Sequence, residues 1–328
     1  MIICRTPFRV SFFGGGTDMP KWFNNNNGQV INASINKYGY IYFTNKDDVY
    51  DYKFKIRYYL NEEAKNIESI KHPVVKCCLK YYGLSNKTLH ITYDSDLPAR
   101  SGLGSSSSFT AGLINTINFY KNKRISKKNL AKQTIFMEQV LLKETVGLQD
   151  QIATSYGGLN HIEFKKNNFF VKKISLENKK IKQLNESILL CYTGQYRFAY
   201  NIEKVKNSRI YKNKKIYEEI DLITNEALKL LYSKNNDWLK QFGNLLNDYW
   251  QLKKSLDKNV SNKLVDNLYS SFINEGIYGA KLMGAGNGGF ILIIANKNVQ
   301  KKIIKKFCKL KFVKIMIENS GSKIIYPY

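Results

Sequence analysis

The sequence predicts an α+β protein in two lobes, and three observations carry that reading. Short β-rich segments and amphipathic helical runs alternate along the 328 residues without an internal repeat. Three glycine clusters stand far apart in the chain, each beside a strand-like run. A charged run over 177–182 separates a strand-rich first half from a helix-rich second half. That run puts a soft boundary near 185 and divides the chain into lobes at 1–185 and 186–328.

The elements follow in order. Pro7-Phe-Arg-Val-Ser-Phe-Phe reads as a strand that ends in Gly14-Gly-Gly-Thr-Asp18. Further strand-like runs cover 39–45, 54–60 and 89–93. A helix is expected over 105–120, where Phe109, Leu113, Ile117 and Tyr120 recur at helical spacing. A second is expected over 127–143, with Ala131, Ile135 and Leu142 on an apolar stripe. Strands at 158–164 and 169–174 close the first half. Beyond the boundary, 188–192 reads as a buried strand, and helical runs cover 218–232, 236–254 and 261–275. The middle one gathers Leu239, Phe242, Leu246 and Tyr249 on one face. Gly284-Ala-Gly-Asn-Gly-Gly289 then runs into the apolar strand 290–295, and a helix–strand pair follows.

Composition narrows the classes. No apolar run has the length to cross a bilayer, and the start, Met-Ile-Ile-Cys-Arg, lacks a signal-peptide pattern. Five cysteines without CxxC spacing and three isolated histidines assemble no zinc site, so a reduced cytoplasmic protein is expected. The formal charge of +26 raises the question of nucleic acid or a membrane surface. The lysines are scattered among Asn, Ile and Tyr, however, and clusters such as Lys301-Lys302 and Lys305-Lys306 fit the wet face of a helix. The expectation is a solvated, composition-driven surface with no nucleic acid and no membrane, on which a positive field could still help to capture anionic small molecules.

The chemistry concentrates at Pro98-Ala-Arg-Ser-Gly-Leu-Gly-Ser-Ser-Ser-Ser108. Gly102 and Gly104 allow a sharp turn and close approach of a ligand to the backbone. The serines lie at the start of the 105–120 helix, where free N–H groups and the helix dipole favour an anion. No Gly-Lys-Ser/Thr follows at the spacing of the common NTPase loop. Glu138 falls on the apolar stripe of its helix, an unfavourable place for a carboxylate unless a cation or hydrogen bonds compensate it. Asp150, in Gly147-Leu-Gln-Asp-Gln, stands where a short helix would begin, which suits plain capping as well as chemistry.

The three glycine clusters in this order resemble the signature motifs of the GHMP kinases, with Gly-Leu-Gly-Ser-Ser the most specific. The resemblance spans residue 5 to about 290 and implies a ribosomal-protein-S5-like N-terminal domain and a ferredoxin-like C-terminal domain with the active site between them. It also implies ATP and Mg²⁺. Pro98, Arg100, Ser101, Gly102, Leu103, Gly104, Ser105, Ser106 and Ser107 would form the nucleotide loop, and Ser106 and Glu138 would hold the metal. Asp150 would act as general base on the acceptor hydroxyl, and Arg9 would neutralise charge beside it. Gly15, Gly16, Thr17, Asp18, Gly284 and Gly286 would line the substrate site. Arg197, in Thr193-Gly-Gln-Tyr-Arg197, would bind a substrate phosphate. The Phe-Gly-Gly-Gly-Thr-Asp form of the first motif resembles kinases of the anomeric hydroxyl, most of all the D-glycero-D-manno-heptose 7-phosphate kinases, which implies a place in nucleotide-heptose and surface polysaccharide synthesis. L-Fucose or galactose kinases are the rivals within the class. A non-catalytic sensor on the same fold is the rival outside it, and either a monomer or a homodimer fits.

Overall fold

The computed structural model describes residues 1–195 and 199–327, and of 199–202 the backbone alone. The chain opens with β1 (Ile2–Phe13), α1 (Pro20–Asn26), β2 (Gly28–Lys46), β3 (Phe54–Arg57), β4 (Asn61–Ala64), α2 (Pro73–Tyr81) and β5 (Thr88–Ser95). It continues through α3 (Ser105–Tyr120), α4 (Lys127–Ile135), α5 (Gln149–Tyr156), β6 (Leu159–Lys165), β7 (Asn168–Lys173) and α6 (Asn178–Ser187). After these come β8 (Ile188–Tyr192), α7 (Ala199–Ser208), α8 (Lys214–Tyr232), α9 (Trp238–Ser255) and α10 (Lys263–Asn274). The last elements are β9 (Gly279–Leu282), β10 (Phe290–Ile294), α11 (Lys297–Lys306), β11 (Lys311–Lys314) and β12 (Lys323–Tyr326).

Two sheets organise these elements. The first runs β12-β1-β2-β5-β3-β4, with β6 and β7 branching from β2. At 19 residues, β2 is long enough to pair β6 through its first part and β5 through its last, so the sheet forks along one strand. The second sheet is antiparallel, in the order β11-β8-β10-β9. One apolar core lies between α2 and α3 and the first sheet, around Phe43, Ile91, Leu113 and Ile117. A larger one joins the lobes: Phe12 and Phe13 of β1 meet Phe242 of α9 at ring-centroid distances of 5.5 and 5.0 Å. A third covers the outer face of the second sheet with α10 and α11.

Several expectations shift in detail. The helix read over 127–143 stops as an α-helix at Ile135 and continues as a π-helical turn over Phe136–Leu141, where Leu142 N–H reaches the Met137 carbonyl at 2.9 Å. The strand read over 54–60 ends at Arg57, and the 39–45 strand is the far part of β2. The charged run at 177–182 belongs to α6, which contains residue 185 and buries Leu184. The last strand, β12, returns to pair with β1 in the first sheet. The five cysteines are free thiols, and among the described residues no helix is long and apolar enough to cross a membrane.

Close backbone contact fixes the second sheet against α9. A Cβ on Gly279 of β9 would lie 1.9 Å from the Gly243 carbonyl oxygen of α9. Gly279→Ala should therefore force strand and helix apart, costing about 1–3 kcal/mol as overpacking does. A lower urea midpoint at unchanged m-value is the expected result, and an unchanged midpoint would refute that packing.

Candidate active site

The phosphate loop and β1 form a single unit. Arg9 donates its backbone N–H to the Leu103 carbonyl at 2.9 Å and Nη1–H to the Gly102 carbonyl at 2.6 Å. Gly104 caps α3 with φ at 73°, the left-handed region that glycine enters without strain. A Cβ there would crowd Arg9 Cγ at 3.0 Å and Asp150 Oδ2 at 3.4 Å. The N-terminus of the 16-residue α3 therefore opens directly beside these two side chains.

Arg9 is 3% exposed, and its fork meets Asp150 head-on: Nε to Oδ1 at 2.6 Å and Nη2 to Oδ2 at 2.7 Å. Asp150 sits in the first turn of α5, one residue inside the helix, and Leu148 holds the cap position in its place. Its side chain is 27% exposed. Arg9 uses one lone pair on each carboxylate oxygen, which leaves a second on each for another donor.

Asp18 lies deeper, at 4% exposure, and accepts from Gly16 N–H at 2.8 Å and Gln149 N–H at 3.2 Å. Burial pushes its carboxyl up to about 6; the Gly16 N–H opposes the rise, and the charge of Asp150 adds to it. Space for Asp18 exists because residue 147 is glycine, since a Cβ there would fall 1.9 Å from Oδ2. Thr17 faces inward, its hydroxyl 2.8 Å from the Gly14 and Gln29 carbonyls. It fastens the first glycine loop to β2. Gly15 and Gly16 are part-exposed beside it.

Glu138 is 1% exposed on the π-helical turn. Oε2 accepts from Ser107 Oγ at 2.9 Å and Gln151 Nε2 at 2.6 Å, while Oε1 is buried without a partner. Burial and the nearby Glu144 push its carboxyl up to about 8. An orphaned carboxylate oxygen beside a second acid is a donor set that a hard cation satisfies. Among the described residues no three His, Cys, Asp or Glu side chains cluster to hold a metal. That sparse set fits Mg²⁺, which commonly takes one or two carboxylates and completes its shell with water and phosphate. The serine touching Glu138 is Ser107, and Ser106 is exposed on the first turn of α3.

The third glycine loop clasps the second. Phe290 N–H donates to the Ser101 carbonyl at 3.2 Å, and a Cβ on Gly289 would lie 2.3 Å from that oxygen. Thr193 N–H reaches the Gly289 carbonyl at 2.9 Å. Gly286 passes over Val260, where a Cβ would fall 2.6 Å from its carbonyl, and the Gly284 carbonyl accepts from Lys253. Asn287 takes the left-handed φ of 61° that its residue type tolerates. Pro98 and Arg100 are exposed at the loop's outer rim, Arg100 N–H donates to Ser105 Oγ at 3.2 Å, and Ser101 is buried. Arg197 lies outside the described residues. Residues to which pattern reading gave no site role include Gln151, Tyr249 and Lys281. Gln151 adjoins Asp150 and Lys281 stands shortly before Gly284, so nearness to a motif was the available signal for both.

Known proteins resemble this chain along most of its length. A family model described as the GHMP kinases N-terminal domain matches residues 69–158, and one described as the GHMP kinases C terminal matches 227–312. The chain is 30% identical over 321 residues to D-glycero-alpha-D-manno-heptose 7-phosphate kinase of Campylobacter jejuni, covering 93% of this chain and 92% of that protein. It is 31% identical over 237 residues to a mevalonate kinase of Methanocaldococcus jannaschii, covering 72% of this chain and 71% of that one. A crystal structure of a D-glycero-D-manno-heptose 1-phosphate kinase from Bacteroides thetaiotaomicron superposes over 100% of both chains with a TM-score of 0.81 at 18% identity, a likeness of fold.

A carboxyl-selective NMR titration should place Asp18 near pH 6, apart from the surface aspartates, because burial outweighs its two N–H donors. Gly147→Ala should displace that carboxylate and move its midpoint. An Asp18 midpoint among the exposed aspartates would refute the burial argument.

Proposed function

The chain belongs to the GHMP kinases, phosphotransferases that act on an alcohol group with ATP as donor, and from that premise we propose that it phosphorylates the anomeric hydroxyl of D-glycero-D-manno-heptose 7-phosphate. One observation carries the mechanism: the Arg9–Asp150 pair stands at the mouth of the α3 N-terminus, so acceptor and donor sites adjoin. The substrate reading draws on the Campylobacter jejuni relative and on the Phe13-Gly-Gly-Gly-Thr-Asp18 form of the first loop. The product would be a 1,7-bisphosphate for nucleotide-heptose and surface polysaccharide synthesis.

In this reading ATP lies along residues 98–107 with its phosphates at the N–H groups that open α3. The acceptor hydroxyl donates to a free lone pair of Asp150, which takes the proton as the oxygen attacks the γ-phosphorus and the bond to the β-γ bridging oxygen breaks. Arg9 keeps Asp150 oriented and offsets charge gathering on the transferred group. Asp18 and the loop backbone at Gly15 and Gly16 hold the sugar hydroxyls. Glu138 and Ser106 would hold Mg²⁺, which when bound neutralises phosphate charge, and Ser107 and Gln151 keep Glu138 in position.

Asp150→Asn should lower kcat by roughly 10²–10⁴ with the KM for ATP within about threefold of wild type. Near-normal turnover would reduce Asp150 to a helix-end residue. Glu138→Gln should raise the Mg²⁺ concentration needed for half-maximal rate, since an amide is a poorer ligand for a hard cation. ATP consumption across free and phosphorylated heptoses, fucose and galactose decides the substrate. Equal kcat/KM for free and phosphorylated heptose would refute the heptose 7-phosphate assignment.

A further inference from the structure

Lys281 belongs to β9 of the second sheet, is 1% exposed, and its ammonium reaches across to the first lobe. Nζ donates to the carbonyls of Ser11 at 2.8 Å and Phe12 at 3.0 Å, at the end of β1. The β1–β2 register shifts between Ser11 and Phe13, and such a bulge interrupts the ladder that would otherwise satisfy these carbonyls. A buried carbonyl without a donor costs about as much as a lost hydrogen bond, so the break needs a donor from elsewhere. Lys281 supplies it from the other lobe.

The same ammonium sits 4.3 Å from the ring centroid of Tyr249, and the Tyr249 hydroxyl donates to the Gly15 carbonyl at 3.1 Å. Two side chains of the second lobe thus end on backbone carbonyls of Ser11, Phe12 and Gly15. These lie within the segment from Arg9 to Asp18, which carries the guanidinium fork and the buried carboxylate. Burial, with the charges of Lys253 and Arg9 close by, draws the Lys281 ammonium well below its ordinary range. An apolar side chain of similar length would fill the space without that desolvation penalty, but it would leave both carbonyls unpaired. The nitrogen donates to them whether charged or neutral.

We propose that Lys281, seated on Tyr249, is a positioning residue that latches the first glycine loop to the second lobe and so sets the acceptor site. The inference rests on the reading above that this loop binds the acceptor. Lys281→Met keeps the bulk and removes the donor. Tyr249→Phe keeps the ring and removes the hydroxyl, a milder change that decides the matter if Lys281→Met does not fold.

Hydrogen exchange in the ligand-free enzyme reads the latch directly. Peptides covering 9–19 should exchange about tenfold faster in Lys281→Met, and by a smaller factor in Tyr249→Phe, while α2 and β5 are unchanged. The KM for the acceptor should rise about tenfold with the KM for ATP within about threefold. A residue important only for general stability would lower the unfolding midpoint and leave both KM values and the local exchange unaltered in the folded enzyme. Unchanged exchange over 9–19 in the folded variants overturns the latch. Faster exchange there with an unchanged acceptor KM upholds the latch and refutes instead the assignment of this loop to the acceptor.

Discussion

Arg9 is the point from which the rest of the site is measured. One side chain and its own backbone N–H touch β1, the phosphate loop and α5 together, through Leu103, Gly102 and Asp150. The fork's planar geometry fixes direction as well as distance, which a lysine at the same place would not. The pair is also asymmetric in burial: Asp150 is part-exposed and Arg9 is enclosed. Loss of the carboxylate would therefore strand a buried cation, and breaking buried pairs in that way costs about 3–5 kcal/mol. Close approach calls for glycine in the second and third loops, where Gly104 lies against Arg9 and Gly289 against the Ser101 carbonyl.

How much of this was legible in the sequence depends on whether the signal was local. Strand 188–192, the 290–295 strand and the helix over 105–120 carry their own periodicity, and each is found within a residue or two of its expected limits. Glu138 was legible through contradiction, a carboxylate on an apolar stripe, and it is buried. The π-helical turn that carries it was not, since one extra residue in a turn leaves no compositional trace. Helix α6 hid within a charged run because few of its residues, Leu184 among them, face the core. The forking of β2, the clasp of Ser101 by Phe290 and the reach of Lys281 are long-range contacts, and no window of sequence contains both partners. The inward turn of Thr17 was missed for the same reason, since its partners include Gln29 on β2.

The charge of the chain is distributed in an unusual sense: a formal +26 overall, yet a site built on buried acids. Asp18 and Glu138 are both pushed up by burial. Hydrogen-bond donors hold them: N–H groups for Asp18, and a hydroxyl and an amide for Glu138. Much of the positive charge is spread over wet helix faces, such as Lys301, Lys302 and Lys305 of α11. Neutral donors hold Asp18 and Glu138, while the Arg9 guanidinium holds Asp150.

The antiparallel pairing of β12 with β1 has a consequence for how the chain is made. Strand β1 precedes β12 by more than 300 residues, yet Lys323–Tyr326 pair along the edge of β1 opposite β2, with Ser322 hydrogen-bonded to Thr6 at 2.9 Å beside the junction. Until β12 is made that edge lacks this partner, and an unpaired strand edge is a template for other chains. Arg5, half-buried on β1, and Lys323, facing it on β12, place positive charge along this seam. Those charges disfavour pairing between two nascent copies of the same edge. The strand that carries Arg9 thus gains this partner late, once the chain has been made as far as β12.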